Sequence, residues 1–145
     1  MAHPPAAGPI AFLSDLHGNL TALNVVLAEL ERLDVKRIYA AGDLLLGGDE
    51  PLEVWQRLQA LGATCTRGPS DTALASVDPQ SLVPIDDEQR RQARAFADTR
   101  AAVGDLVAER LRRLPEQHRI PLIDGREILM VHGSPADSGS ELSHD

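Results

Sequence analysis

The sequence predicts an α/β fold, a mostly parallel β-sheet with flanking helices, and three observations carry that prediction. Short apolar runs that read as strands alternate with longer segments whose apolar residues recur every three or four positions, the order expected of βαβ units. Successive strands end in glycine beside an acid or a histidine, at the strand ends where open α/β sheets place their ligand sites. The 145 residues are the length of one domain with one core, and they contain no internal repeat or low-complexity segment.

Taken in order, residues 1–8 have neither a basic region nor a long apolar stretch and read as a loose tail with His3 solvated, not as a secretion signal or a membrane anchor. Ile10 to Leu13 are continuously apolar, as expected of a strand buried on both faces. Leu20, Leu23, Val26, Leu27, Leu30 and Leu33 then mark an amphipathic helix with Glu29, Glu31 and Arg32 outward. Arg37 to Ala41 form a second strand ending in Gly42-Asp43, followed by a loop over Leu44 to Gly48. Asp49 is placed to cap and Pro51 to open a helix through Leu52, Trp55, Leu58 and Leu61, with Trp55 in the core and Gly62 as the stop. Ala63 to Arg67 read as a third strand holding Cys65 as a buried, inert thiol, and right-handed parallel crossovers connect the three.

Thr72 to about Ile85 read as an irregular excursion. Asp86, Asp87 and Glu88 favour the positive end of a helix dipole, so a helical region runs from Glu88 to Leu114, with a break near Ala97 to Thr99 or at Gly104 and a stop at Pro115. Arg110, Arg112 and Arg113 complete its dipole as a solvated face. His118 to Ile123 and Glu127 to Val131 flank Asp124-Gly125, a strong hairpin signal, with His118 exposed. His132 follows the last strand, and residues 136–145 lack periodicity.

Composition narrows the function. The formal net charge of -8 and the 3% aromatic content argue against a surface that tracks phosphate backbones or stacks bases, so nucleic acid is not an expected partner. A single cysteine is consistent with a reducing, cytoplasmic setting. The chemistry concentrates at Ser14-Asp15-Leu16-His17-Gly18-Asn19, where side chains two apart in extended chain share a face, so that Asp15 and His17 can grip one metal ion while Asn19 caps the next helix. Asp43 and His132 close two further strands. Carboxylate with imidazole suits Mn, Fe, Zn or Co, and without cysteine ligands a structural zinc knuckle is not expected.

With Asp15-Leu16-His17-Gly18-Asn19, Gly42-Asp43, Gly47-Gly48-Asp49-Glu50-Pro51 and Val131-His132-Gly133-Ser134-Pro135 in this order, the chain resembles the calcineurin-like metallophosphoesterases, in particular their small bacterial and archaeal phosphodiesterase branch, over residues 9–136. The resemblance implies a four-layer αββα sandwich holding two divalent ions, Mn favoured. It assigns Asp15 and His17 to one ion, His132 to the other and Asp43 as the catalytic carboxylate bridging both. The ions would supply a bound hydroxide as nucleophile and stabilise charge on the phosphoryl oxygens of a phosphodiester or phosphomonoester.

Two departures accompany the resemblance. Where the family carries Gly-Asn-His-Asp/Glu, with Asn as a second-ion ligand and His as the acid for the leaving group, this chain has Gly68-Pro69-Ser70-Asp71. Losing a general acid costs about 10²–10⁴ in rate, so weak activity or a demand for good leaving groups is expected. Asp71 is the candidate substitute as ligand or acid and otherwise caps the next turn, while Asn19 and Ser70 are candidates for substrate contact. The family's later Gly-His-x-His motif does not appear, and His144 is not expected to replace it. If residue 145 ends the natural chain, an open sheet edge invites pairing into a homo-oligomer. The rival to an enzyme is a non-catalytic descendant used as a binding or scaffolding module, favoured by Pro69-Ser70; a plain doubly wound domain with solvated acids and histidines is the third reading.

Overall fold

A computed structural model describes residues 4–137 and 139–140 of the chain; the readings of His3 and His144 fall outside them. Three strands, β1 (Ile10–Leu13), β2 (Arg37–Ala41) and β3 (Thr64–Thr66), form a parallel sheet in the order β1-β2-β3. In register, Leu13 lies opposite Ala40 and Ala41 opposite Thr66, so all three strands deliver their carboxyl ends to one side. The crossovers are the helices α1 (Leu20–Arg32) and α2 (Pro51–Ala60). Beyond β3 come α3 (Pro69–Ser76), a 3-10 turn at Pro79–Ser81, α4 (Asp87–Arg113) and the antiparallel hairpin β4 (Gln117–Pro121) and β5 (Glu127–Val131).

The alternation of side chains along β2 builds the layers. Ala40 joins a core with Leu23 and Leu27 of α1, Val54, Trp55 and Leu58 of α2, Leu74 of α3 and Phe96, Val103, Val107 and Leu111 of α4. Tyr39 turns to the other face and packs with Ala6, Ile120 and Met130, which seats the hairpin there. The described residues thus supply a helical layer, the parallel sheet and a second, two-stranded sheet: three of the four layers expected, in the expected order.

Several elements differ from the sequence reading. Among the described residues β1 is an edge strand, and Phe12 is 44% exposed although its ring stacks on Tyr39 at 5.5 Å, so this strand is not buried on both faces there. Ala6 is buried and its N–H donates to the Pro121 carbonyl at 3.0 Å, which docks the tail from that residue onto the hairpin. Glu50, not Asp49, precedes α2 and makes no side-chain cap hydrogen bond, and Pro51 occupies the first turn, where its missing N–H costs no helical bond. The stretch expected to be irregular begins with α3, which spacing could not reveal because its only large apolar residue is Leu74. His118 is half-buried, its ring 5.9 Å from that of Tyr39. The break in α4 falls at Gly104, whose φ of 73° and ψ of 174° leave the helical region.

Candidate metal centre

The residues between the strands and their helices carry the site, and their backbone is unusual. Among the described residues four other than glycine have positive φ, and three of them are Asp15 (55°), His17 (46°) and Asp43 (54°). Each such residue costs about 1–3 kcal/mol unless its surroundings hold it, and such outliers cluster at functional sites. Here the surroundings do hold them. The loop after β1 is bonded to the loop after β2 by Asp15 N–H to Gly42 O (3.2 Å), His17 N–H to Asp43 O (3.0 Å) and Gly18 N–H to Leu44 O (3.0 Å). Asp15 and His17 do converge, with His17 Nε2 3.5 Å from Asp15 Oδ1. The reason is not strand alternation, since the strand ends at Leu13 and both residues turn through left-handed conformations.

Asp43 stands at the centre. Its Oδ2 lies 3.6 Å from His132 Nε2, and its Oδ1 accepts hydrogen bonds from Ser70 N–H (3.1 Å) and Ser70 Oγ (2.9 Å). Asp15, His17 and Asp43 each offer a ligand atom within 4.8 Å of the others, the one such group of three or more among the described residues. Asp43 and His132 side chains are each 15% exposed, against 55% for Asp15 and 45% for His17, so the trio opens to solvent on the Asp15 side. A cleft of about 780 Å³ begins there, lined by Ser14, Asp15, His17, Asn19 and Phe12 among others. A larger hollow of about 900 Å³ between α1 and α2 is lined by Glu31, Lys36, Glu53 and Arg57 and lies away from these ligands.

The donor set fits a divalent cation. Nδ1 of His17 lies 2.8 Å from the Leu46 carbonyl and Nδ1 of His132 2.7 Å from the Ala41 carbonyl. A carbonyl only accepts, so each Nδ1 is the donor and Nε2 is the ring nitrogen turned towards a carboxylate, the outer bonding that metal-ligating histidines show. Nothing in the sequence marks a carbonyl as such a partner.

Asp71 is placed behind the site, not in it. It is fully buried, and its Oδ2 accepts from the N–H groups of Asp43 (2.8 Å) and Gly68 (2.9 Å) while Oδ1 accepts from Leu44 N–H (2.9 Å). Burial pushes this carboxyl up from its usual range, and the nearby Asp43 charge adds to that, against the amides of Gly68, Leu44 and Asp43 that favour the ionised form. A carboxyl wholly engaged with backbone amides has no free atom for a substrate, so its geometry gives the catalytic expectation no support. Asn19 Oδ1 caps α1 by accepting from Ala22 N–H at 2.9 Å, as its position predicts. Ser70 meets Asp43, a role its hydroxyl alone did not signal. Gly68 was also missed as a site residue: a Cβ built there would come within 2.3 Å of Asp43 Oδ1.

A family model described as the calcineurin-like phosphoesterase superfamily domain matches residues 9–145. The chain belongs to this superfamily. It is 28% identical to a metallophosphoesterase from Sphaerobacter thermophilus, with a TM-score of 0.66 over 89% of this chain and 48% of that one. The structure of a "putative diadenosine tetraphosphatase" is 23% identical with a TM-score of 0.66, covering 90% of this chain and 53% of the other, and a phosphoesterase from E. coli is 20% identical with a TM-score of 0.52, covering 88% and 60%; both share the fold. An uncharacterised protein of Methanocaldococcus jannaschii is 26% identical over 129 residues, 87% of this chain and 49% of that protein. The chain thus spans about half the length of the first of these relatives. It is an α/β calcineurin-like phosphoesterase-family chain that brings together Asp15, His17 and Asp43, a group placed so that it could hold a metal ion.

Proposed function

We propose that this chain is a metal-dependent phosphoesterase that hydrolyses a small phosphodiester or phosphomonoester in the cytoplasm. The observation that carries the reading is the convergence of Asp15, His17 and Asp43 on one point, each in a strained conformation that the loops hold in place. Asp15, His17, Asp43 and His132 would hold divalent cations, Mn favoured, which would supply a nucleophilic water near neutral pH and offset charge on the phosphoryl oxygens. The chain's own part is orientation. The Leu46 and Ala41 carbonyls fix the two imidazoles, and Ser70 fixes Asp43. Asp43, between the Asp15–His17 pair and His132, is the carboxylate on which both sides depend. Its neighbour Ser70 is a poor acid at neutral pH, which restricts the reaction to good leaving groups. The single cysteine, Cys65, has no second cysteine in the chain to pair with, which fits a reducing compartment. Among the described residues no helix is long and apolar enough to cross a membrane.

Hydrolysis of an activated aryl phosphodiester with Mn²⁺, compared between the native chain and Asp43→Asn, tests this. Turnover that vanishes in the variant supports the proposal; equal rates in both, with metal bound, contradict it. A second reading is favoured by Pro69-Ser70, which offers neither an amide ligand nor an imidazole acid: a binding or scaffolding module that keeps the cation without turnover.

A further inference from the structure

An apolar hollow shares one residue with the metal centre. It holds about 400 Å³ between α3 and the start of α4, within the size range of small-molecule sites, and its walls include Leu46, Ala73, Val77, Leu82, Ala93 and Phe96. These walls come from the loop after β2, from the two helices and from the segment joining them, so no sheet edge forms part of it. No charged side chain lines it, although 25% of the chain is charged. An ion seated there would lose its water without gaining a partner, and the acids Asp86, Asp87 and Glu88 at the start of α4 add repulsion against an anion. The occupant that fits is neutral. Two amides at the rim are already oriented for it. Gln89 Oε1 accepts from Ile85 N–H at 3.1 Å, which leaves the Gln89 NH₂ to meet an acceptor on a ligand. Gln92 Nε2 donates to Glu88 Oε1 at 3.0 Å, which leaves the Gln92 carbonyl oxygen to meet a donor. Leu46 joins the hollow to the metal centre: it lines the one, and its carbonyl lies 2.8 Å from His17 Nδ1 in the other.

We propose that this hollow binds a neutral small molecule with an apolar body and a polar edge that donates and accepts, and that a ligand there steadies Leu46, keeps His17 in its ligating orientation and so tightens divalent-cation binding. The effect on the cation rests on the functional reading above; the binding of the small molecule does not. Coupling between two sites is reciprocal, so the factor by which the ligand raises cation affinity is the factor by which the cation raises ligand affinity. Leu46 is a positioning residue in this scheme, acting on the cation only through His17.

Fluorescence titration of the 145-residue chain with phenylnaphthylamine, a neutral aromatic dye with one N–H, tests the proposal with and without Mn²⁺. Saturable uptake is expected, with an affinity about fivefold higher when Mn²⁺ is present, at the lower end of usual coupling between sites. Ala93→Leu fills the hollow with a good helix former and is expected to abolish uptake. Val83→Lys places a charge at the rim, at a position 84% exposed where the fold is not at stake, and is expected to weaken uptake. Leu46→Ala is expected to remove the effect of Mn²⁺ on dye affinity. No uptake, or uptake that Ala93→Leu and Val83→Lys both leave unchanged, overturns the site. Equal dye affinity with and without Mn²⁺, in a chain that dialysis shows to hold the ion, overturns the coupling and leaves the functional reading intact. A chain that takes up the dye but no Mn²⁺ overturns the functional reading and the coupling together, and the binding site stands.

Discussion

The two ends of the parallel sheet are built from similar turns to different purpose. At the amino ends, the chain leaves α1 and α2 through left-handed residues, Asp34 (φ 56°) and Gly62 (φ 65°), and returns to β2 and β3. These are ordinary helix terminations: Asp34 is exposed and paired with Lys36 at 2.8 Å, and a Cβ at Gly62 would meet nothing within 4 Å. At the carboxyl ends, the left-handed residues Asp15, His17 and Asp43 follow strands directly, and backbone hydrogen bonds lace their loops together. A Cβ at Gly68 would strike the Asp43 amide and carboxylate at 2.8 and 2.3 Å. One end of the sheet tolerates change while the other has been packed around a few charged atoms.

The sharpest break of this contrast is at Asp71. Asp71→Ala leaves the amides of Asp43, Leu44 and Gly68 without their acceptor, and at about 1–3 kcal/mol for each buried unsatisfied donor the loss reaches roughly 3 kcal/mol or more. Chemical denaturation measures it, and a loss below about 1 kcal/mol would show that the Asp43 loop does not depend on this carboxylate. Next comes a matched pair of glycines. Gly68→Ala overpacks the site and costs about 1–3 kcal/mol together with Mn²⁺ binding. Gly62→Ala costs about 1 kcal/mol from its backbone conformation alone and leaves Mn²⁺ binding as it was. Equal effects of the pair on metal binding, read by dialysis, would erase the distinction between the two ends.

The smallest effect concerns a thiol inside β3. Cys65 is pushed up to about 12, by burial first and by the Asp71 charge second. With a folded value above the ordinary 9.0, the thiol stays protonated at pH 8, where the folded chain carries roughly a thousandfold less thiolate than the unfolded one. Alkylation by iodoacetamide at pH 8 is therefore expected to be slow in the folded chain and fast in denaturant, and equal rates would place Cys65 outside the core. The linkage has a definite sign: a thiol raised on folding loses its stabilising contribution as pH climbs through the range between 9.0 and about 12.

Much of this architecture was legible in the sequence. Residue spacing located all three parallel strands, the first two helices, the long helix, with Gly104 as one of two places for its break, and the hairpin turn, because each is a periodic segment bounded by glycine or proline. That Asp15, His17 and Asp43 come near one another was legible too, since each follows a strand beside a turn. What escaped is what depends on long-range contact. No local signal says that Asp15 and His17 meet through left-handed turns, because that geometry is imposed by the loop after β2. The eight residues of α3 carry too little amphipathic pattern to show themselves, and their helix is fixed by Pro69 at its start and Asp71 accepting from Gly68 N–H. Asp71 itself reads as a candidate acid until the three amides around it are seen.

The central claim is that the loops at the carboxyl ends of β1 and β2 exist to hold a divalent cation. An anomalous-difference map from crystals grown with Mn²⁺ tests it directly. A peak among Asp15, His17 and Asp43 is predicted, and its disappearance in Asp43→Asn crystals would complete the case. A map with no peak at these three residues, in crystals where the loops keep their conformation, would contradict the claim.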